Sequence, residues 1–196
     1  MQLTASSDKF WKASFTDEAG RLIYKFDSPL ISGRKKPVTL YRGNGRDPEV
    51  VGQLQYDQFN ARKSSIKLTG SSTDDEPEIP VAELLRRSSV GGTDQKYEFR
   101  TRDGTAYEWT FGKGHCLLHA ANNQASSEAL IVFNRPIFGV LSRTQQPSLE
   151  ILDVSHNVVP MALLALAYLE KHRGEERRNQ AQSVAAACGY NGGGPV

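Results

Sequence analysis

Cysteine is nearly missing from this chain: 196 residues carry two, Cys116 and Cys188, and the second falls in a glycine-rich tail. That excludes a disulfide framework as the source of stability, leaves too few ligands for a cysteine-based zinc site, and makes a reducing compartment the default expectation. Long apolar runs are missing as well. The longest, Val158 to Leu169, has twelve residues, whereas a helix needs roughly 20 to cross a bilayer. The opening MQLTASSDKFWKASF shows no basic leader ahead of an apolar stretch, so no secretory signal is expected, and no Asn-x-Ser/Thr acceptor occurs. Charge of one sign is not in excess: 24 Lys+Arg stand against 22 Asp+Glu, too even a balance for the overall field of a nucleic-acid binder. What is present, 38% hydrophobic residues and 17 glycines, is the composition of a globular domain able to enclose a core.

Most of the chain consists of short β-branched and aromatic segments broken by turn residues at close intervals, which predicts an all-β fold. Strands are expected over residues 9–15, 21–27, 37–42, 50–59, 63–69, 96–102, 106–111, 116–121, 129–134 and 148–152. The plainest hairpin is KYEFRTR-DG-TAYEWTF, where Asp103 and Gly104 can supply the two positive-φ positions of a type I′ turn. The pattern stops over 71–92: SSTDDEPEIP is acidic, VAELLRRSS offers a helical turn or two, and the stretch reads as a loop excursion from the sheet. A second break, DSPLISGRKKP, carries three consecutive cations, Arg34, Lys35 and Lys36.

Near the end, Asn157 can cap a helix whose first turn tolerates Pro160, and MALLALAYL then continues without a charged side chain to Glu170. A helix that is apolar all round has no wet face and must be enclosed by protein or lipid. The sequence turns polar in EKHRGEERRNQ, as if the helix left its enclosure and met water. A β-rich chain ending in such a helix predicts a sheet closed around it, which also removes the edge strands. One domain is expected over residues 1–180, with the central helix at 157–178 and a flexible tail at 181–196.

PLISGRKKPVTLYRGNG, VVGQLQYDQF, YEFRTRDGTAYEWTF and VVPMALLALAYLEKHR, in that order, resemble an uncharacterised fungal protein family whose domain is similar to the tubby C-terminal fold. The resemblance covers about residues 10–178. Its most specific pieces are the Arg-Asp-Gly hairpin with Tyr107 and Trp109, and the apolar helix ending in Leu-Glu-Lys-His-Arg. It implies the closed antiparallel barrel of about twelve strands around a central hydrophobic helix that is shared by tubby-like proteins, phospholipid scramblases and a related plant family. It also implies that basic residues of strands and loops bind phosphoinositides, a correspondence of patches rather than of individual residues. One fold hosts unrelated roles, so the likeness by itself carries no activity.

A barrel filled by its own helix has little room for a catalytic cavity. His115 and His119 share one face of an expected strand with Cys116 on the other, two ligands without a third; neither a metal nor a cofactor is expected. Asp153, Ser155 and His156 name the types of a hydrolase triad, but sequence neighbours rarely point at one another and no nucleophile elbow surrounds the serine. The glycines at 43, 45, 91 and 92 lack the strand-glycine-helix context of a phosphate loop and read as turns. Trp11, Tyr97, Phe99, Tyr107, Trp109 and Phe111, aromatics alternating along strands, read as core and cross-strand pairs rather than a stacking platform for bases. Arg86-Arg87-Ser88-Ser89-Val90 has the form of a basophilic kinase site, with Ser89 as the acceptor.

Charge is unevenly placed. Residues 1–70 hold 12 Lys+Arg against 7 Asp+Glu, and the remainder 12 against 15. Arg34, Lys35, Lys36, Arg42, Arg62 and Lys63 lie in or beside expected turns, where clustered cations can hold an anionic phospholipid headgroup. The reading is a non-enzymatic binding module, cytoplasmic or peripheral at a membrane, with no transmembrane span and no nucleic-acid partner. The alternatives are an enzyme with a barrel-mouth site near His115, His119 or His156, and a protein-binding scaffold.

Overall fold

Period-two alternation builds the sheet: Ser148–Ile151 and Ile131–Asn134 each send every second side chain into the interior and leave the others half-exposed. The computed structural model describes residues 1–28, 37–43, 47–57, 60–70, 77–88, 95–121, 128–135 and 146–189. In chain order the elements are β1 (Gln2–Ala5), β2 (Ser14–Thr16), β3 (Leu22–Asp27), β4 (Val38–Arg42), β5 (Glu49–Gln55), β6 (Ser65–Leu68), β7 (Ile79–Pro80), α1 (Val81–Leu84), β8 (Arg86–Arg87), β9 (Gln95–Arg100), β10 (Ala106–Phe111), β11 (His115–Ala120), β12 (Ile131–Asn134), β13 (Ser148–Ile151) and α2 (Val159–Gly189). Single 3-10 turns at Phe10–Lys12 and Ala61–Lys63 precede β2 and β6.

The thirteen strands form one antiparallel sheet in the order β7-β6-β5-β4-β3-β2-β1-β13-β12-β11-β10-β9-β8. All ten segments expected as strands contribute one, although 9–15 spends its first residues in a 3-10 turn before β2. The closed barrel is not seen as a hydrogen-bonded ring: among the described residues β7 and β8 are the outer strands, two residues each, and no ladder joins them. Pro80 has no N–H to offer such a ladder. The edges nevertheless flank a common cleft of about 320 Å3, lined by Ile79, Glu83 and Leu84 on one side and Glu98, Phe99 and Arg100 on the other. Only α1 and Leu85 separate β7 from β8 in the chain, so the stretch 71–92, expected to leave the sheet, supplies both of its margins.

α2 fills the concave side. Its apolar side chains from Val158 to Leu169 are at most 5% exposed, each fully buried Leu contributing on the order of 1.5–3 kcal/mol. The helix packs on Phe10–Lys12, β5 and β6, and the fit is closest at Gly52 of β5. A Cβ there would lie 2.6 Å from Leu164 Cδ1 and 2.9 Å from the Lys67 carbonyl oxygen, so only glycine is accommodated. On the sheet's middle strands Phe15, Phe26 and Phe133 meet Phe10 in an aromatic cluster with centroids 4.8–6.3 Å apart.

Two local expectations change. The helix expected to stop near 178 continues to Gly189, so residues 181–189, expected as flexible tail, are helical. AQSVAAAC is rich in alanine, the strongest helix former, and Ser183 Oγ bonds back to the Asn179 carbonyl at 2.9 Å. In the β9–β10 hairpin only Gly104 has positive φ (85°), so the turn is not type I′. Arg100 pairs with Ala106, Thr101 N–H donates to Thr105 O, and Gly104 N–H donates to Thr101 O. That register spans one more residue than a type I′ turn bridges and places Gly104 alone in the left-handed position.

Candidate functional site

Antiparallel pairing sorts the loops between the two ends of the sheet. β4 ends at Arg42 beside the start of β5 at Glu49, and the Thr101–Asp103 turn and Gly70 lie at this end with the start of α2. The opposite end, where α2 leaves, gathers Phe10–Lys12, the residues flanking 29–36, Ala61–Lys63, the β10–β11 turn and Arg135.

The expected headgroup cations divide between these ends. Arg42 lies at the helix-start end and is engaged: its Nε and Nη2 donate to Glu49 Oε2 at 3.1 and 2.7 Å. The pair sits on the rim of a cleft of about 460 Å3 whose floor includes Val51, Leu68, Pro160 and Met161. Arg62 and Lys63 lie at the helix-exit end, both exposed. Their turn is fixed from below: Asn60 N–H donates to Asp57 Oδ1 at 3.1 Å and Arg62 N–H to Asn60 Oδ1 at 3.0 Å. Fully buried Ser64 accepts from Asp57 N–H at 2.9 Å, and its carbonyl accepts from Val81 N–H at 2.8 Å. These local bonds hold the backbone so that the two cations project. Arg34, Lys35, Lys36 and Ser89 lie outside the described residues. The adjacent Ser88 donates to Glu108 at 2.7 Å, and Lys96 pairs with the same carboxylate at 2.8 Å, tying β8 to β10.

The histidines of the enzymatic alternative do not converge. His115 and His119 lie on one face of β11, His115 exposed at the helix-exit end, while exposed His156 borders the cleft at the helix-start end. No hydrogen bond joins Asp153, Ser155 and His156, and among the described residues no three His, Cys, Asp or Glu side chains group as a metal set.

Where α2 emerges, its first charged residues meet the sheet in a way the sequence reading did not anticipate. Leu3, Leu149, Phe133, Cys116, Phe111 and Gln95 oppose one another in a row across six strands, and this row ends beneath the helix exit. Over it, Arg135 Nη2 donates to Glu170 Oε1 at 2.5 Å and to Cys116 Sγ at 3.1 Å, and Nη1 donates to Gly112 O at 3.2 Å. The Arg135 and Glu170 side chains are 14% and 13% exposed, so the pair is sheltered from screening. Burial and the nearby Glu170 carboxylate push the Cys116 thiol well above its usual range. It is therefore a protonated, unreactive thiol at neutral pH. Arg173 lies with its guanidinium carbon 4.5 Å from the Phe111 centroid. Across the mouth, Tyr56 donates to Glu175 at 2.6 Å and carries Lys171 Nζ over its ring at 4.2 Å. The sequence signal for this cluster was present: the first charges after an enclosed apolar helix must find partners as they cross its boundary.

A family model described as a family of unknown function (DUF6593) matches residues 8–175, nearly all of the sheet and the enclosed part of α2. Comparison with curated proteins and with solved structures gave no match.

Proposed function

The chain belongs to this family of unknown function, so its role has to be read from its own surface, and we propose that it is a non-enzymatic module that binds anionic phospholipid headgroups at the helix-exit end of the sheet. The observation that carries the reading is the pair Arg62 and Lys63, exposed on a rigid turn at the end where α2 brings Lys171, Arg173, Arg177 and Arg178 past the sheet. Asp27 and Val38, the described strand residues on either side of 29–36, belong to strands that reach this same end. Cations from several elements gathered at one end attract an anionic surface at about 1 kcal/mol per residue near the membrane. The reading extends to architecture: the sheet wraps α2 as a tubby-like barrel, with the seam at β7 and β8 bridged by α1. It also extends to place, a cytoplasmic protein held peripherally at a membrane. Arg42, neutralised by Glu49 at the other end, is left out of the site.

Co-sedimentation with neutral vesicles and with vesicles carrying phosphoinositide, at low and physiological salt, tests this. Binding to the phosphoinositide vesicles alone is expected, falling at least tenfold in Arg62→Glu/Lys63→Glu and unchanged in Arg42→Glu. Equal recovery with neutral vesicles, or a double charge reversal without effect, overturns it.

A further inference from the structure

The helix-exit cluster holds more positive charge than it neutralises. Two guanidinium groups, Arg135 and Arg173, approach the same Phe111 ring at 5.6 and 4.5 Å, and one carboxylate, Glu170, accompanies them. Glu170 is taken by Arg135. Arg173 has no hydrogen-bond partner for its buried Nη1, and Arg135 has none for its buried Nε. Guanidinium N–H groups withdrawn from water without an acceptor are costly, more so when a second cation stands nearby. In keeping with this, burial and then the Arg135 charge hold the Arg173 pKa below its ordinary value.

We propose that Arg135 and Arg173, which both approach the Phe111 ring, form a seat for a phosphate group, bound by charge-assisted hydrogen bonds from the Arg173 guanidinium, whose Nη1 lacks a partner, and from the unpartnered Nε of Arg135. Phosphate suits the arrangement because its several acceptor oxygens can serve two planar donor groups from different elements at once. Glu170 has a positioning role: it fixes Arg135, leaving the residual charge on the Arg173 side. This seat is distinct from the exposed Arg62–Lys63 turn. It also takes a phosphate carried by a soluble molecule, so it stands whether or not the protein binds membranes.

The test is calorimetric titration of the full chain with inorganic phosphate, chloride replacing it at matched ionic strength in the control, and with Arg173→Gln as the variant. Saturable phosphate binding is expected in the unaltered chain and at least a tenfold loss in the variant. Arg173 is partly exposed, and far-ultraviolet circular dichroism is expected to show an intact fold. Arg135→Gln/Glu170→Gln removes the second guanidinium without stranding a carboxylate, and is expected to weaken phosphate binding to a similar degree. A parallel arm with phosphoinositide vesicles separates the sources: loss of vesicle binding in Arg173→Gln makes the phosphate a lipid headgroup, and unchanged vesicle binding with lost phosphate binding makes it a soluble phosphate ester. No saturable binding of phosphate over chloride, or full binding in a folded Arg173→Gln, overturns the proposal. Neither result bears on the charge reversal at Arg62 and Lys63.

Discussion

Individual side chains at the helix exit are held in protonation states that unfolding would release. Tyr168 is 5% exposed, its ring 5.7 Å from those of Tyr56 and His172. Burial, with Tyr97 and the carboxylates of Glu176 and Glu175, pushes its phenol up to about 12. An unfolded tyrosine titrates near 10, so the folded state keeps the proton longer. That contribution, on the order of 2 kcal/mol, is whole below about pH 10 and is lost as pH rises toward 12. Denaturant titrations at pH 9 and pH 11 are expected to show a smaller loss between the two in Tyr168→Phe than in the unaltered protein; equal losses would refute the assignment. Arg42 carries a different lesson at this scale. Its neutralisation was legible in principle, because Arg42 and Glu49 are opposed in the β4–β5 register, where opposite charges attract.

Among the elements, the sequence revealed those whose own residues decide their structure. Ten alternating segments become strands and the apolar run becomes the enclosed helix, because period and burial agree. What it concealed depends on partners distant in the chain. β1 has four residues and offers little periodicity of its own; β7 and β8 have two each and exist only as margins against β6 and β9. The Arg135–Glu170–Cys116 cluster likewise joins positions as far as 54 residues apart. Gly52 falls within the expected strand 50–59 with nothing in the sequence to set it apart, yet it is the groove that admits Leu164. Gly52→Ala is expected to destabilise the fold by about 1–3 kcal/mol, because one clash is with the Lys67 backbone oxygen, which cannot swing aside. Thermal melts check this: the melting temperature falls in Gly52→Ala, and the double variant with Leu164→Ala is expected to lose less than the two single variants together but more than Leu164→Ala alone. A double variant as stable as Leu164→Ala alone would assign the clash to the leucine alone.

At the scale of the molecule, α2 does two jobs along one axis. Its first turns are the core, while residues 176–184 are exposed on every side. Val184→Gln is therefore expected to melt at the same temperature as the unaltered chain, since Val184 is 64% exposed and residues 181–184 bury nothing. A measurable drop would mean that the distal helix is covered in solution.

The position of β1 between β2 and β13 reaches further. It pairs residues 2–4 with residues 148–150, and the Met1 ammonium donates to the Ile151 carbonyl. Among the described residues the ladder that links the two wings of the sheet runs through that long-range seam, and the element that fills the hollow follows every strand. During synthesis the strands thus emerge as a shell whose filling has not yet been made. Such a chain folds late and slowly, its apolar lining open to other chains until the final helix arrives.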